Sequence, residues 1–152
     1  MIQLKQILKS LTQVVISIFN ISRNYKKANL EPRKEASEQC YVLGNGPSLK
    51  LDIKHVDSDS DFIVVNNFVN TDYYQNLKPK YYVLADPIFW SDNDFREELI
   101  TIRNGVLKKI CENTIWPLSI IIPSFAKKDS FVYKVIKNYP YLKIQTYFPV
   151  TI

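Results

Sequence analysis

The sequence predicts an α/β fold: a Rossmann-like, largely parallel sheet with helices on both faces, preceded by an N-terminal amphipathic helix. Three observations carry this expectation. Apolar runs at 40–43, 62–66, 80–85, 119–123 and 142–147 alternate with stretches of helical spacing. The chain has 152 residues, 46% of them hydrophobic, which allows one domain with a real core. Only three glycines occur, where average usage would give about ten, and two of them fall in Gly44-Asn45-Gly46-Pro47-Ser48, directly after the first apolar run.

Residues 1–23 read as a helix. Ile2, Leu4, Ile7, Leu8, Leu11, Val15, Ile18 and Phe19 follow helical spacing, and Val14, Ile16 and Ile21 widen the stripe. Lys5, Lys9, Arg23, Lys26 and Lys27 precede the first acid, Glu31. Interrupting Gln, Ser, Thr and Asn residues make the stretch too polar for a transmembrane span of about 20 residues. It also lacks the small-residue cleavage site of a signal peptide. Two readings stand: a helix lying on an anionic membrane surface, such as the inner membrane, or a helix packed on the domain or on a partner chain.

Residues 24–39 are polar and charged, with Pro32 among them, and read as a linker. Residues 40–152 then form the domain. A strand at Cys40 to Leu43 leads into the glycine loop, and a short helix follows from Leu49 to His55. Asp57-Ser58-Asp59-Ser60-Asp61 reads as a solvated turn, because no EF-hand glycine or closing glutamate follows. The second strand is placed at Phe62 to Asn66, a short helix at 71–77 and the third strand at 80–85. Asp92 or Asn93 is expected to cap a helix reaching about Cys111, broken or bent near Gly105. The fourth strand spans 119–123, Asp129 caps a helix to Asn138, and the fifth strand spans 142–147. No closing helix follows Phe148-Pro149-Val150-Thr151-Ile152, so the chain reads as the first part of a longer protein.

The net charge of +5 and a pI near 9.1 suggest anionic partners, nucleotide phosphates or anionic lipid. The basic residues are scattered and no nucleic-acid-binding motif appears, so nucleic acid is not expected. Cys40 and Cys111 are far apart and read as buried thiols in a reducing cytosol. The single His55 cannot build a zinc site and reads as solvated or half-buried. No metal site or resident cofactor is expected, and the oligomeric state is left open.

The chemistry concentrates at the glycine loop. Glycine allows positive φ and close approach to the main chain, and Pro47 suits the first turn of a helix. Strand, tight turn and helix start would offer free N–H groups to a phosphate. A dinucleotide fingerprint fails because Leu49 stands where a third Gly is needed, and a Walker A loop fails because Pro47 follows Gly46. Local pattern alone leaves a tight turn that binds nothing equally open.

Three blocks narrow this. Leu43-Gly44-Asn45-Gly46-Pro47-Ser48-Leu49-Lys50, then Asp61-Phe62-Ile63-Val64-Val65-Asn66-Asn67-Phe68, then Tyr81-Tyr82-Val83-Leu84-Ala85-Asp86-Pro87-Ile88-Phe89-Trp90 resemble the start of bacterial sialyltransferases of glycosyltransferase family 42. They also resemble the related domain of the motility accessory factors, linked to flagellin glycosylation. The resemblance covers about residues 39 to 90. It implies a nucleotide-sugar donor, a CMP-sugar in the family, as substrate, and a cytoplasmic enzyme acting on surface polysaccharide or glycoprotein. It implies nucleotide contacts at Gly44, Asn45, Gly46, Pro47, Ser48, Asn66, Asn67 and Asp86. Asp86 has a second reading, as a cap where the chain turns at Pro87. The family's catalytic histidine and Ser-Gly segment have no counterpart in these 152 residues, so the catalytic residues stay unknown. Two alternatives remain: a domain like the archaeal pterin pyrophosphokinases, binding ATP with magnesium, or a non-catalytic remnant binding module.

Overall fold

In a computed structural model, residues 2–24, 29–31, 37–91, 93–126 and 128–148 can be described. Helix α1 spans Ile2–Asn24. The domain follows as β1 (Cys40–Leu43), α2 (Leu49–Asp52), β2 (Asp61–Val65), α3 (Tyr74–Leu77), β3 (Tyr81–Val83), α4 (Glu97–Asn113), β4 (Leu118–Pro123), α5 (Phe131–Ile136) and β5 (Leu142–Tyr147). Short 3₁₀ segments at Ile53–His55, Asn66–Asn70 and Pro87–Phe89 follow α2, β2 and β3. All five strands are parallel and pair in chain order, β1-β2-β3-β4-β5.

The α/β class, the parallel sheet and the N-terminal helix are as the sequence predicts. The distribution of the helices is narrower than expected. Leu43, Phe62, Val64, Tyr82, Leu118, Ile120 and Ile122 share one face of the sheet. They form one core with Leu49 of α2, Tyr74 of α3, Val106, Leu107 and Ile110 of α4, and Val132 and Ile136 of α5. The register puts Val42, Ile63, Val65, Tyr81, Val83, Ser119, Ile121 and Gln145 on the opposite face. Apart from buried Gln145 these are half-buried or, at Val42, exposed, and none belongs to the core cluster. Strand order supplies the reason. Crossovers of one hand between consecutive neighbours all return on the same side, and only a reversal of strand order would move helices to the other. No reversal occurs among the described strands, so the sheet offers no switch point of the doubly wound kind.

Helix α1 stands apart from this core. From Lys5 to Arg23 every side chain is exposed except half-buried Ser17. Part of the expected linker is ordered. Asn29 makes an antiparallel bridge to Thr146 on β5, and Glu31 N–H donates to Gln145 Oε1 at 3.2 Å. The remainder of 24–39 is divided between the end of α1, residues 37–39, and residues outside those described.

Several boundaries differ for identifiable reasons. α4 begins at Glu97, with Arg96 at the cap position and no side-chain cap bond, and Glu97 and Glu98 supply the favourable charge of a first turn. Asn93 lies outside the helix, and Asp92 lies outside the described residues. Gly105 does not interrupt α4, because a mid-helix glycine costs only about 1 kcal/mol and Val106, Leu107 and Ile110 bury beside it. Ser130, not Asp129, precedes α5, which ends at Ile136. Asp61 belongs to β2 rather than to a solvated turn: it is 4% exposed and ion-paired with Lys80. Cys111 is buried, whereas Cys40 is exposed, since it sits on the edge strand with its side chain on the uncovered face. His55 is exposed, at the end of its 3₁₀ turn.

Candidate functional site

The glycine loop joins β1 to α2, so it lies at the carboxyl edge of the sheet. Leu43 is in register with Val64, and Asn45 and Asn66 each lie two residues beyond that pair. Neighbouring strands therefore bring both asparagines to one edge. β3 delivers Asp86 to the same edge, three residues past Val83, the register partner of Val65.

The loop differs in detail from the sequence expectation. Neither Gly44 nor Gly46 has positive φ. A Cβ at either position would meet nothing within 4 Å, so what these glycines leave is open space rather than an unusual backbone. The helix contribution is small. α2 is a single turn of four residues, and Leu49 N–H is spent on Gly46 C=O at 3.1 Å. Ser48 occupies the cap position, but its hydroxyl makes no capping bond. Gly44, Asn45, Gly46, Pro47 and Ser48 are all exposed.

Asn66 is the residue with left-handed backbone at this edge, φ 46°. Asparagine tolerates that conformation better than most side chains. The buried Tyr82 hydroxyl holds it there by donating to Asn66 C=O and accepting from Val69 N–H at 3.0 Å. Burial raises the Tyr82 hydroxyl well above the ordinary tyrosine pKa, so it stays a neutral donor. Asn66 Oδ1 accepts from Ala85 N–H at 3.0 Å and Asp86 N–H at 3.2 Å, which clamps the end of β2 to the end of β3. Its amide NH₂ is what it can offer a ligand. Asp86 caps the next turn: its carboxylate accepts from Ile88 N–H at 3.1 Å, with Pro87 in the first position. Of its two readings, this geometry realises the cap.

Between the glycine loop and the turn after β2 lies a cleft of about 340 Å³, lined by Asn45, Gly46, Lys50, Asn70, Thr71 and Asp72 among others. Lys109 of α4 reaches this side, donating to Asn70 Oδ1 at 2.7 Å. Sequence reasoning did not assign Lys50, Asn70, Thr71, Asp72 or Lys109 to the site. Lys50 closes the quoted motif and was legible as a cation. The others come together only because strand order sets β2 beside β1, and Lys109 carries no motif.

The same edge holds buried polar atoms without hydrogen-bond partners: Asn67 Oδ1, Trp90 Nε1 and Ser124 Oγ. Trp90 follows β3 and Ser124 follows β4, and the Trp90 ring packs edge-to-face on exposed Phe125 with centroids 4.9 Å apart. Buried polar groups are normally paired, so unpartnered ones mark a place where an additional group fits the chemistry.

A larger cavity, about 710 Å³, opens toward the amino ends of β3, β4 and β5. Of the motif blocks it is lined by Tyr81 but by none of Gly44 to Ser48, Asn66, Asn67 or Asp86, and several of the polar groups around it are paired. Lys80 binds Asp61, Lys143 binds Glu31, Gln145 Nε2 donates to Ser119 Oγ at 3.0 Å, and Trp116 Nε1 donates to Pro79 C=O at 2.8 Å. Size alone would select this cavity. Unmet hydrogen bonding selects the carboxyl edge, and we weigh the latter more heavily.

No protein-family model matches the chain, and neither the curated proteins nor the solved structures contain a match. The functional reading rests on the residues. Among the described residues no helix is long and apolar enough to cross a membrane.

Proposed function

We propose that the carboxyl edge binds a nucleotide sugar, as the donor-binding part of a bacterial glycosyltransferase resembling the family 42 sialyltransferases and acting on surface polysaccharide or glycoprotein. One observation carries the reading: the two most motif-like blocks, Gly44 to Ser48 and Asn66-Asn67, meet at equal register on adjacent strands, beside a cleft left open at Gly46. In this reading the loop backbone, Ser48 Oγ and Lys50 receive phosphate. The Asn45 side chain and the Asn66 amide NH₂ meet ribose or base. Such a donor is cytoplasmic, and so is the chain.

The test is calorimetric titration with CMP and a CMP-sugar against ATP with magnesium. Binding of the cytidine nucleotides, lost in Gly46→Val, is expected. A Cβ there meets nothing within 4 Å and the backbone at Gly46 is not left-handed, so the position accepts a side chain and the loss is expected to be local to the ligand. Unchanged binding in a folded Gly46→Val protein would remove the loop from the site. Preference for ATP with magnesium would favour the pyrophosphokinase-like alternative.

A further inference from the structure

We propose that α1 lies in the plane of an anionic lipid surface and tethers the domain to it with the carboxyl edge of the sheet close by. The inference does not depend on what that edge binds. On a helical wheel, Ile7, Leu8, Leu11, Val14, Val15, Ile18, Phe19 and Ile21 form one stripe, and each is exposed. Lys5, Lys9 and Arg23 lie on the other side of the helix, where Ile16 also falls rather than in the stripe, no acidic residue lies within α1, and Lys26 and Lys27 follow it in the sequence. A wide apolar stripe backed by cations and free of acids is complementary to anionic headgroups over acyl chains, and not to another basic protein surface. The helix is too polar to span, which leaves the plane of the interface.

The tether fixes where the domain sits. Asn29, five residues past the end of α1, is hydrogen-bonded to Thr146 near the carboxyl end of β5. The chain from Asn24 to Asn29 reaches at most about 18 Å. From β5 to β2 is three strand spacings, about 14 Å. The candidate cleft is thereby held within roughly 30 Å of the anchored helix end. A partner substrate carried on the same membrane would be presented to it.

The experiment is flotation of the full 152-residue chain with vesicles of phosphatidylcholine alone and of phosphatidylcholine mixed equally with phosphatidylglycerol, at low and high salt. The expected result is binding to the anionic vesicles that weakens as salt screens the charges. Lys5→Gln with Lys9→Gln should lower it roughly fivefold per charge removed. Leu11→Glu with Ile18→Glu should abolish it while leaving the thermal transition of the domain in place, because both side chains are exposed. Absence of binding at low salt, or equal binding to neutral and anionic vesicles, would overturn the proposal. So would sedimentation showing a dimer that Leu11→Glu dissociates, since a second copy would then cover the stripe.

Discussion

The two ends of the sheet are built on opposite principles. At the amino end, Asp61, Lys80, Ser119, Gln145, Lys143 and Glu31 pair with one another around a cavity of about 710 Å³. At the carboxyl edge the cleft is half that size or less. There, buried Asn67 Oδ1, Trp90 Nε1 and Ser124 Oγ lack partners, and Asn66 is held in left-handed backbone, a conformation that Lys78 shares at the other cavity. Backbone in an uncommon region persists only where its surroundings over-determine it, as the Tyr82 hydroxyl and the Ala85 and Asp86 N–H groups do here. The contrast teaches that a large hole with many of its polar groups paired reads as architecture, while a sheet edge that carries unmet polar atoms and a smaller cleft is a candidate for chemistry.

The sharpest way to break this contrast is at the amino end. Asp61→Ala removes the partner of Lys80 and the acceptor of Ser37 N–H, tied to Asp61 Oδ2 at 3.3 Å. Breaking such a pair costs about 2–4 kcal/mol, toward the low side because the Lys80 side chain is 35% exposed and can be rehydrated. Urea unfolding should read that loss, while affinity for a nucleotide should stay within about twofold, as expected of independent sites well apart. A large fall in affinity with little change in stability would reverse the roles assigned to the two ends.

Tyr82→Phe probes the carboxyl edge. It strips the partner from Asn66 C=O and Val69 N–H and should cost about 1–3 kcal/mol. It should also weaken nucleotide binding, because the left-handed turn at Asn66 loses its brace. Stability falling with affinity untouched would detach Asn66 from the site.

Lys143→Ala is the smallest change. Its pair with Glu31 is more than half exposed on both sides, and exposed pairs contribute about 0–1 kcal/mol. A loss well above that, read by thermal unfolding, would mean the Glu31 segment braces β5 more firmly than its hydrogen bonds suggest.

Much of this was legible in the sequence. Cys40 to Leu43 and Leu142 to Tyr147 are bounded by strong local signals, and both strands fall where the apolar runs place them. The loop after β1 and the edge shared by Asn45 and Asn66 follow from βαβ alternation alone. Strand order does not. Alternation predicts parallel strands but not which neighbour each takes, so the bare face carrying Val42, 70% exposed, and Ile63 was hidden. Asp61 was misread because a run of Asp and Ser looks like a solvated turn, and the partners that make its burial tolerable, Lys80 nineteen residues on and Ser37 N–H far before it, are distant in sequence. Cys40 followed the general tendency of thiols to bury, which an edge strand facing solvent overrides. Trp90 and Ser124 could not be assigned because their unmet hydrogen bonds are properties of packing, not of any motif.

The most direct test of the contrast is a backbone amide NMR titration of the full chain with CMP. Binding at the carboxyl edge predicts the largest shifts at Asn45, Gly46, Lys50, Asn66 and Thr71, with Lys80, Tyr81, Ser119 and Lys143 unmoved. Shifts confined to Lys80, Tyr81, Ser119 and Lys143 would place the ligand in the amino-end cavity and contradict the assignment of the site.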